Sequence, residues 1–462
     1  MINYFNFKKF QDKFLITNDF GRYKFLSNKE FSDLLLDRID IHSELNKCLE
    51  KDYFTYSNIK DSFIENNYIE LEKSKNYLFQ STSLHIFVVT TACNQQCVYC
   101  QAQNGKVLPH GMMTKEIARK AVDIALNSPS DNLDFEFQGG EPLMNFEIIK
   151  YIVEYTKSKT DKNVRFSIVS NLTLLNDEII KFIKDNGISI STSLDGDRNI
   201  HNYNRPYRTG KGTYDDVMKS LEKLRSSGIY VGAIETTSKK TLTDYKSLID
   251  TYVKLGFKDI FIRPLTPLGC AKEHWLNVGY TPNEFVEFYK NILNYILELN
   301  MNGYSLAEGH AKIFLKKILT GFSPNYMELR SPCGAALGQM AYYYDGNIFT
   351  CDEGRMLYEM GDDAFCIGNV FTSTYDSILD NSRCKIVSKA SILESLPSCS
   401  DCVYQPYCGV CPVVNYATNN DVYEVSHREY RCQIYSGMLD TIFSYLYDDN
   451  NRIKEIFRSW IE

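Results

Sequence analysis

Ten of the fourteen cysteines fall into two sets whose spacings suit metal binding. The first set is Cys93, Cys97 and Cys100, with the spacing C-x3-C-x2-C. Three thiolates this close in sequence can surround one metal centre, and the odd count leaves one metal position without a protein ligand. A structural zinc site normally has four ligands, so the spacing favours a [4Fe-4S] cluster with one open iron. The alternatives are a zinc knuckle completed by a distant residue, or three unrelated buried thiols.

The second set contains seven cysteines near the end of the chain. Paired C-x2-C spacings within it predict further metal sites, and two zinc ribbons are the alternative to iron–sulfur clusters. The chain has no evident export signal, so a disulfide framework is not expected. Most of the four remaining cysteines are expected to be ordinary buried small residues. The seven are Cys333, Cys351, Cys399, Cys402, Cys408, Cys411 and Cys432, and the four are Cys48, Cys270, Cys366 and Cys384.

The elements that must position these cysteines form a repeating pattern from residue 84 onward. Short β-branched or aromatic runs alternate with amphipathic helical patterns, which predicts parallel strands with helical crossovers. Six such units fit a partial (β/α)6 barrel of the α/β class. The predicted strands are 84–90, 133–138, 164–169, 188–193, 230–236 and 258–263.

Polar residues follow these strands at their carboxyl ends, where barrel enzymes place their chemistry. Glycines allow close approach of the backbone to a ligand, a carboxylate can receive an ammonium group, and small polar side chains can bind hydroxyl groups. Turns, helix caps and a rim salt bridge are the alternatives. The candidates are Gly139, Gly140, Glu141 and Pro142 after the second strand, Ser170 and Asn171 after the third, Ser193 and Asp195 after the fourth, Glu235 at the fifth and Arg263 at the sixth.

The first cysteine loop, with Tyr99 before its third cysteine, resembles the signature of the radical S-adenosylmethionine superfamily. The resemblance implies that Cys93, Cys97 and Cys100 hold a [4Fe-4S] cluster and that S-adenosylmethionine occupies the fourth iron. It also implies that residues 139–142 receive the methionine amino group and that the polar candidates contact the nucleoside. The stretch from His201 to Arg205 is similar to peptide-modifying members, so Arg205 is a further cofactor-binding candidate.

The seven later cysteines resemble the SPASM extension of peptide maturases in this superfamily, which implies two auxiliary [4Fe-4S] clusters. One would use Cys399, Cys402, Cys408 and Cys432, and the other Cys333, Cys351 and Cys411. The gap between Cys408 and Cys411 is one residue shorter than is usual. The second cluster either recruits Cys270 or keeps an open iron. Asp352 matches the position of a catalytic base in sulfatase-maturing relatives, although a solvated acidic pair with Glu353 is an equal alternative.

Composition limits the remaining possibilities. Apolar residues are 44% and charged residues 24% of the 462, which is typical of a folded globular protein. The net charge of −7 gives no general reason to bind nucleic acid or anionic membrane, and no apolar run is long enough to span a bilayer. We therefore expect a cytoplasmic protein. The expected domains are an α+β module at 1–80, the barrel with following helices at 81–320, and the auxiliary-cluster region at 321–462. Within the module, residues 13–36 predict two short strands around residues 18–21 and then a helix capped near Ser27, and a polar helical pattern follows to about residue 80.

Residues 15–19 (LITND), Leu26-Ser27 and residues 404–412 (YQPYCGVCP) are similar to HxsB, the SPASM maturase family of His-Xaa-Ser repeat peptide systems. This resemblance implies hydrogen abstraction from a ribosomal precursor peptide and closure of a crosslink. It also implies two partners, a low-potential electron donor such as flavodoxin or ferredoxin and a second maturase. Residues 1–80 would bind the precursor by strand addition, so their deletion is expected to spare S-adenosylmethionine cleavage. The alternatives are an anaerobic sulfatase-maturating, formylglycine-generating enzyme, or a non-catalytic iron–sulfur or zinc-ribbon protein.

Overall fold

The computed structural model describes residues 1–56, 61–102, 111–423 and 429–462, and in 61–66 it describes the backbone. The chain forms a small N-terminal sheet, a large mixed sheet and a surrounding layer of helices. The polar helical stretch predicted before residue 80 lies partly outside the described residues. The strands are Asn6–Phe10 (β1), Lys13–Thr17 (β2), Tyr23–Leu26 (β3), Leu84–Thr90 (β4), Asn132–Gly139 (β5), Asn163–Val169 (β6), Ser189–Ser193 (β7), Val231–Thr236 (β8), Asp259–Arg263 (β9), Ala307–Glu308 (β10), Gln339–Tyr342 (β11), Asn347–Phe349 (β12) and Cys366–Asn369 (β13).

The large sheet contains ten strands in the order β10-β9-β8-β7-β6-β5-β4-β11-β12-β13. Its central strands β4 to β9 are parallel and lie in sequence order. Each is followed by at least one helix, which confirms the predicted partial barrel of six βα units. The carboxyl ends of the strands lie at the same edge of the sheet, so the loops that follow them share one end of the barrel.

Helices cover the outer face of this sheet with apolar stripes, since every third or fourth residue faces the strands. None of the helices in the described ranges is both long and apolar enough to cross a bilayer. The helices are Asn28–Leu35 (α1), Glu44–Lys51 (α2), Asp61–Ser74 (α3), Lys115–Leu126 (α4), Phe146–Lys159 (α5), Asp177–Asn186 (α6), Arg198–Asn204 (α7), Tyr214–Ser226 (α8), Tyr245–Lys254 (α9), Gly269–Glu273 (α10), Trp275–Val278 (α11), Pro282–Met301 (α12), Gly309–Thr320 (α13), Asp352–Glu359 (α14), Tyr375–Leu379 (α15), Ser382–Lys389 (α16), Pro412–Asn419 (α17), Tyr430–Tyr447 (α18) and Asn451–Ile461 (α19).

The N-terminal module is an antiparallel sheet, β1-β2-β3, followed by helices α1 to α3. Helix α1 begins where the sequence predicts it, because Ser27 and Glu30 form a reciprocal capping box. The module has its own apolar core, in which Ile16 and Leu26 of the sheet pack with Phe31 and Leu34 of α1. Strand β1 is an addition to the two strands that the sequence predicts.

The C-terminal region continues the barrel sheet. Strand β11 pairs in parallel with β4, from Gln339 opposite Leu84 to Tyr342 opposite Phe87, and β12 and β13 follow it in antiparallel order. The cysteine-dense segments therefore start from a strand that is hydrogen-bonded to the first barrel strand. This pairing brings the second cysteine set toward the loop that carries the first.

Candidate functional site

The first cysteine loop leaves the carboxyl end of β4 and passes against the glycines that end β5. The amide of Gly140 donates to the carbonyl of Thr90 at 2.9 Å, and the amide of Glu141 donates to the carbonyl of Ala92 at 2.8 Å. A Cβ atom on Gly140 would lie 2.3 Å from the Ala92 oxygen. Only glycine allows this approach of the two backbones, so residues 139–140 set the position of the cysteine loop.

A cavity of about 140 Å³ opens beside this loop. Nine of its lining residues are sequence candidates, drawn from the loops after β4, β5, β6 and β7 and from the segment after α7. The alternation of strands and helices thus brings residues more than 100 positions apart in sequence to one place. The nine are Cys93, Cys97, Cys100, Gly139, Gly140, Ser170, Asn171, Ser193 and Arg205, and they are joined by Gln95, Gln138 and Val169.

Glu141 lies behind the wall of this cavity and joins two of its loops. Its carboxylate accepts hydrogen bonds from the amide of Asn171 at 2.7 Å and the hydroxyl of Ser170 at 2.8 Å, and also from the amide of Leu143 at 3.1 Å. Burial raises the pKa of Glu141 to about 7, although these hydrogen bonds lower it. Its contact with a ligand amino group stays a prediction, and in this structure the carboxylate holds Ser170 and Asn171 in position.

Asp195 is a second buried carboxylate that supports the site from behind. It accepts hydrogen bonds from the guanidinium of Arg205 at 3.1 Å, from the Asn204 amide group at 3.1 Å and from the hydroxyl of Tyr99. The Arg205 guanidinium lies 5.3 Å from the centre of the Tyr99 ring and 4.0 Å from the sulfur of Cys97. Asp195 therefore fixes the cation that stands beside the first cysteine set.

Replacing Asp195 by alanine is expected to destabilise the protein, because Arg205 and Tyr99 would remain buried without their shared acceptor. Breaking a buried ion pair in this way typically costs about 3–5 kcal/mol. Denaturant unfolding followed by circular dichroism measures the change. The control is Asp215→Ala, which removes an exposed partner of Arg198 and should change stability far less. Equal effects of the two variants would contradict the supporting role of Asp195.

Two other candidates also lie outside the cavity surfaces. Glu235 shares one face of β8 with the buried Val231 and Ala233, whereas Ile234 and Thr236 face the barrel interior. One oxygen of Glu235 accepts from Thr237, and burial raises the pKa of its carboxyl well above the usual range. Pro142 is buried as the first residue of a short 3-10 turn. Their contact with a cofactor stays a prediction.

A larger cavity of about 1160 Å³ fills the barrel interior and reaches the C-terminal region. It touches the first site through Cys97, Tyr99 and Cys100, and it extends to Asn132 at the amino end of β5. Arg263, another sequence candidate, lines it and donates to Glu328 at 2.6 Å. Arg431, in α18, donates to the other oxygen of Glu328 at 2.6 Å, so these ion pairs join the cavity wall to helix α18.

Asp352, the candidate base, lies on the wall of this larger cavity. Its carboxylate accepts a hydrogen bond from Arg355 at 2.7 Å. The buried Arg355 guanidinium also donates to Gln138 at 3.3 Å, and Gln138 lines both cavities. Arg355 therefore links helix α14, which begins directly after Cys351, to strand β5. The sequence analysis missed Arg355 and Gln138, although Gln138 directly precedes those glycines.

The seven later cysteines lie in two adjoining places. Cys333, Cys351 and Cys411 pack in one small apolar cluster. Cys399, Cys402, Cys408 and Cys432 line a cavity of about 40 Å³, and Cys411 lines it as well. Burial raises the pKa of Cys408 and of Cys351 well above the usual range. The division of these cysteines between two clusters stays a prediction, because Cys411 adjoins both places.

Three of these cysteines lie at the amino termini of helices. Cys351 is the N-cap residue of α14, Cys411 is the N-cap residue of α17, and Cys432 lies in the first turn of α18. The partial positive charge at a helix amino terminus favours a thiolate. The amide of Cys270, in α10, donates to the carbonyl of Cys100 at 2.9 Å. It is thus next to the first cysteine loop.

The residues present fit a cluster and S-adenosylmethionine. Burial raises the pKa of each of Cys93, Cys97 and Cys100 to about 12, so thiolates here need a positively charged centre. Within the described ranges, no three His, Cys, Asp or Glu side chains are placed to hold a single metal ion. A four-iron cluster instead takes each thiolate at a different iron. The Arg205 cation beside the thiols suits a ligand that carries a carboxylate.

Comparison with known proteins agrees with this geometry. Residues 87–244 match the family model of the Radical SAM superfamily. The cysteine-type anaerobic sulfatase-maturating enzyme of Clostridium perfringens is 26% identical over 384 residues, which are 80% of this chain and 99% of that enzyme. The solved structure of anSMEcpe with bound AdoMet has a TM-score of 0.67 at 22% identity, covering 80% of this chain and 100% of the other. Streptococcus suis SuiB bound to precursor peptide SuiA has a TM-score of 0.57 at 14% identity, covering 94% and 99%.

The match over residues 87–244 and the similarity to the sulfatase-maturating enzymes support a radical S-adenosylmethionine enzyme. The chain is similar in sequence to the anaerobic sulfatase-maturating enzymes, and it shares its fold with anSMEcpe and SuiB. The Radical SAM superfamily uses a [4Fe-4S] cluster and S-adenosylmethionine, and anSMEcpe has been solved with bound AdoMet. This agrees with the expected enzyme class and cofactors. The narrower assignment to the HxsB family is not shown.

Proposed function

We propose that this enzyme modifies a ribosomally made precursor peptide by hydrogen abstraction and that it belongs to a His-Xaa-Ser type system. The observation that carries the proposal is the cavity of about 1160 Å³ that runs from the first cysteine set to Asp352. Sites for small ligands usually enclose about 300–1,000 Å³, so this space suits a peptide segment. Relatives with solved peptide complexes include anSMEcpe with the Cp18Cys peptide and SuiB with SuiA.

When bound, the cluster and S-adenosylmethionine supply a 5′-deoxyadenosyl radical that takes a hydrogen atom from the substrate. In this proposal Cys93, Cys97 and Cys100 hold the cluster, and Arg205 with the loops after β5 to β7 orients the cofactor. The barrel walls exclude water from the reacting atoms. Asp352, held by Arg355 at 2.7 Å, is placed at the cavity wall to accept a proton from the substrate.

The two C-terminal cysteine groups hold auxiliary clusters in this proposal. When bound to these cysteines, the clusters would supply an electron acceptor or a ligand position for the substrate as a crosslink closes. A low-potential donor such as flavodoxin or ferredoxin supplies the electron that starts the reaction, and a second maturase acts on the same precursor. Free thiols of this number are maintained in a reducing compartment, so we place the enzyme in the cytoplasm.

Sulfatase maturation is a second candidate function. It is favoured by the match to 99% of the C. perfringens enzyme and by the carboxylate directly after Cys351. Neighbouring genes separate the two functions, because a His-Xaa-Ser system would have a gene for a short repeat peptide and formylglycine formation would have a sulfatase. Mass spectrometry of the cognate peptide then distinguishes a crosslink from oxidation of a Cys or Ser to formylglycine.

Anaerobic reconstitution tests the metal content on which the proposal depends. One set of three cysteines and one set of seven should bind about twelve irons in three clusters. Iron and sulfide analysis with Mössbauer spectroscopy measures this directly. Dithionite-reduced protein should then form 5′-deoxyadenosine from S-adenosylmethionine. Stoichiometric zinc with little iron would contradict the proposal and favour the zinc-ribbon alternative.

A further inference from the structure

The N-terminal sheet contacts the loop that carries two of the C-terminal cysteines. The buried side chain of Asn6, in β1, donates hydrogen bonds to the carbonyls of Ser400 at 3.0 Å and Cys402 at 3.1 Å. The hydroxyl of Thr17, at the end of β2, donates to the carbonyl of Val403 at 2.7 Å and is fully buried. Three of four consecutive carbonyls in this loop are thus bound by the N-terminal module.

A second segment of the same cysteine group is held by the module as well. The hydroxyl of Tyr407, which precedes Cys408, donates to the carbonyl of Gly21 at 3.1 Å in the buried turn between β2 and β3. The ammonium group of Lys8, in β1, donates to the hydroxyl of Tyr404 at 3.1 Å and to Asp440 of α18 at 2.9 Å. Both cysteine-bearing segments, 399–402 and 407–408, therefore rest against the module.

These contacts matter because residues 397–407 form turns with no helix or strand. Backbone groups in such a segment need partners from elsewhere, and a buried carbonyl left without one is costly. The module supplies those partners on the side of the loop that would otherwise face water. Side chains that hold metal-bearing segments and exclude water set both the retention and the reduction potential of a cluster.

We propose that the N-terminal sheet is a structural part of the site formed by Cys399, Cys402, Cys408 and Cys432, with Asn6 and Thr17 as positioning residues. This inference rests on the proposed function, in that those four thiols hold an auxiliary cluster. The module then has a role beyond peptide recognition. Deleting residues 1–80 would uncover the cysteine loop, so that deletion cannot isolate a recognition defect.

The test uses full-length protein in which Cys93, Cys97 and Cys100 are replaced by alanine, so that the C-terminal clusters are observed alone. Into this parent we introduce Asn6→Ala or Thr17→Val. The matched control is Asn3→Ala, since the Asn3 side chain donates to the carbonyl of Tyr53 at 3.0 Å within the module. After anaerobic reconstitution, iron release to a chelator is followed by absorbance, and the midpoint potentials are followed by EPR.

Asn6→Ala and Thr17→Val are expected to release iron from the cluster at Cys399, Cys402, Cys408 and Cys432 about tenfold faster than the parent, as is typical for loss of an outer-shell partner. The midpoint potential of that cluster should shift as water reaches it. Asn3→Ala should stay near the parent in both measurements. The inference is also supported if either variant keeps the circular dichroism spectrum of the parent but loads only the cluster at Cys333, Cys351 and Cys411. Parent-like release and potential in both iron-loaded variants would overturn it. A parent that loads no cluster at the four cysteines would overturn the proposed auxiliary cluster as well.

Discussion

Replacing Cys93, Cys97 and Cys100 together by alanine is expected to abolish reductive cleavage of S-adenosylmethionine. The three thiols line the cavity after β4 and are the ligands proposed for the first cluster. Without them, no electron can reach the sulfonium group, so 5′-deoxyadenosine should fall below detection in the presence of dithionite. Chromatography of the quenched reaction measures the product, and iron analysis should still find about eight irons in the C-terminal clusters.

The matched control for this variant is Cys48→Ala, because Cys48 is an exposed thiol in α2 of the N-terminal module. It should keep both the iron content and the cleavage rate of the unmodified enzyme. Persistent 5′-deoxyadenosine formation by the triple variant would show that the radical chemistry starts at another cysteine set. Loss of all iron would instead show that the first loop is required for the fold around the C-terminal clusters.

The barrel was predictable from the sequence because its signals are local. Each of the six predicted strands agrees with an observed strand within one residue at either end, since each is a short run with β-branched or aromatic residues between helices with clear caps. The candidates after those strands converge on one cavity for the same reason. Once the strands are parallel and adjacent, the loops at their carboxyl ends meet.

What the sequence did not predict depends on contacts between distant segments. The pairing of β11 with β4 joins residues about 250 positions apart, and no local pattern specifies it. The hydrogen bonds from Asn6 and Thr17 to the cysteine loop span nearly 400 positions. Strand β1 contains two lysines among five residues, so its apolar pattern is weak.

The orientation of Glu235 was in principle predictable. In the strand VGAIET, alternation places Glu235 on the same face as Val231 and Ala233. Those residues pack against the helices, so a carboxylate among them points away from the barrel interior. A polar residue at the end of a barrel strand is therefore a good candidate for ligand contact only if it also lies on the face of the strand that is turned to the barrel interior.

The close approach of two backbones at Gly140 gives the second large expected effect. Gly140→Ala would place a Cβ atom 2.3 Å from the carbonyl oxygen of Ala92 and 2.7 Å from that of Thr91. Real Cβ atoms do not approach this closely, and backbone atoms cannot rotate away as a side chain can. The cysteine loop must therefore shift by an amount on the order of 1 Å, a displacement that can lower catalysis roughly 100-fold.

We expect Gly140→Ala to lose roughly this factor in the rate of 5′-deoxyadenosine formation, with weaker binding of S-adenosylmethionine in equilibrium dialysis. The control is Gly232→Ala in β8, where the nearest atom to an added Cβ is the Ser191 Cβ at an ordinary 3.7 Å. That variant adds the same methyl group to the barrel without touching the backbone of another loop, so it should cleave the cofactor at nearly the original rate. If both variants kept that rate, the glycine pair would not set the position of the cysteine loop. If Gly232→Ala were as impaired as Gly140→Ala, the barrel would be sensitive to any added methyl group, and the loss could not be assigned to the approach of residues 139–140 to residues 90–92.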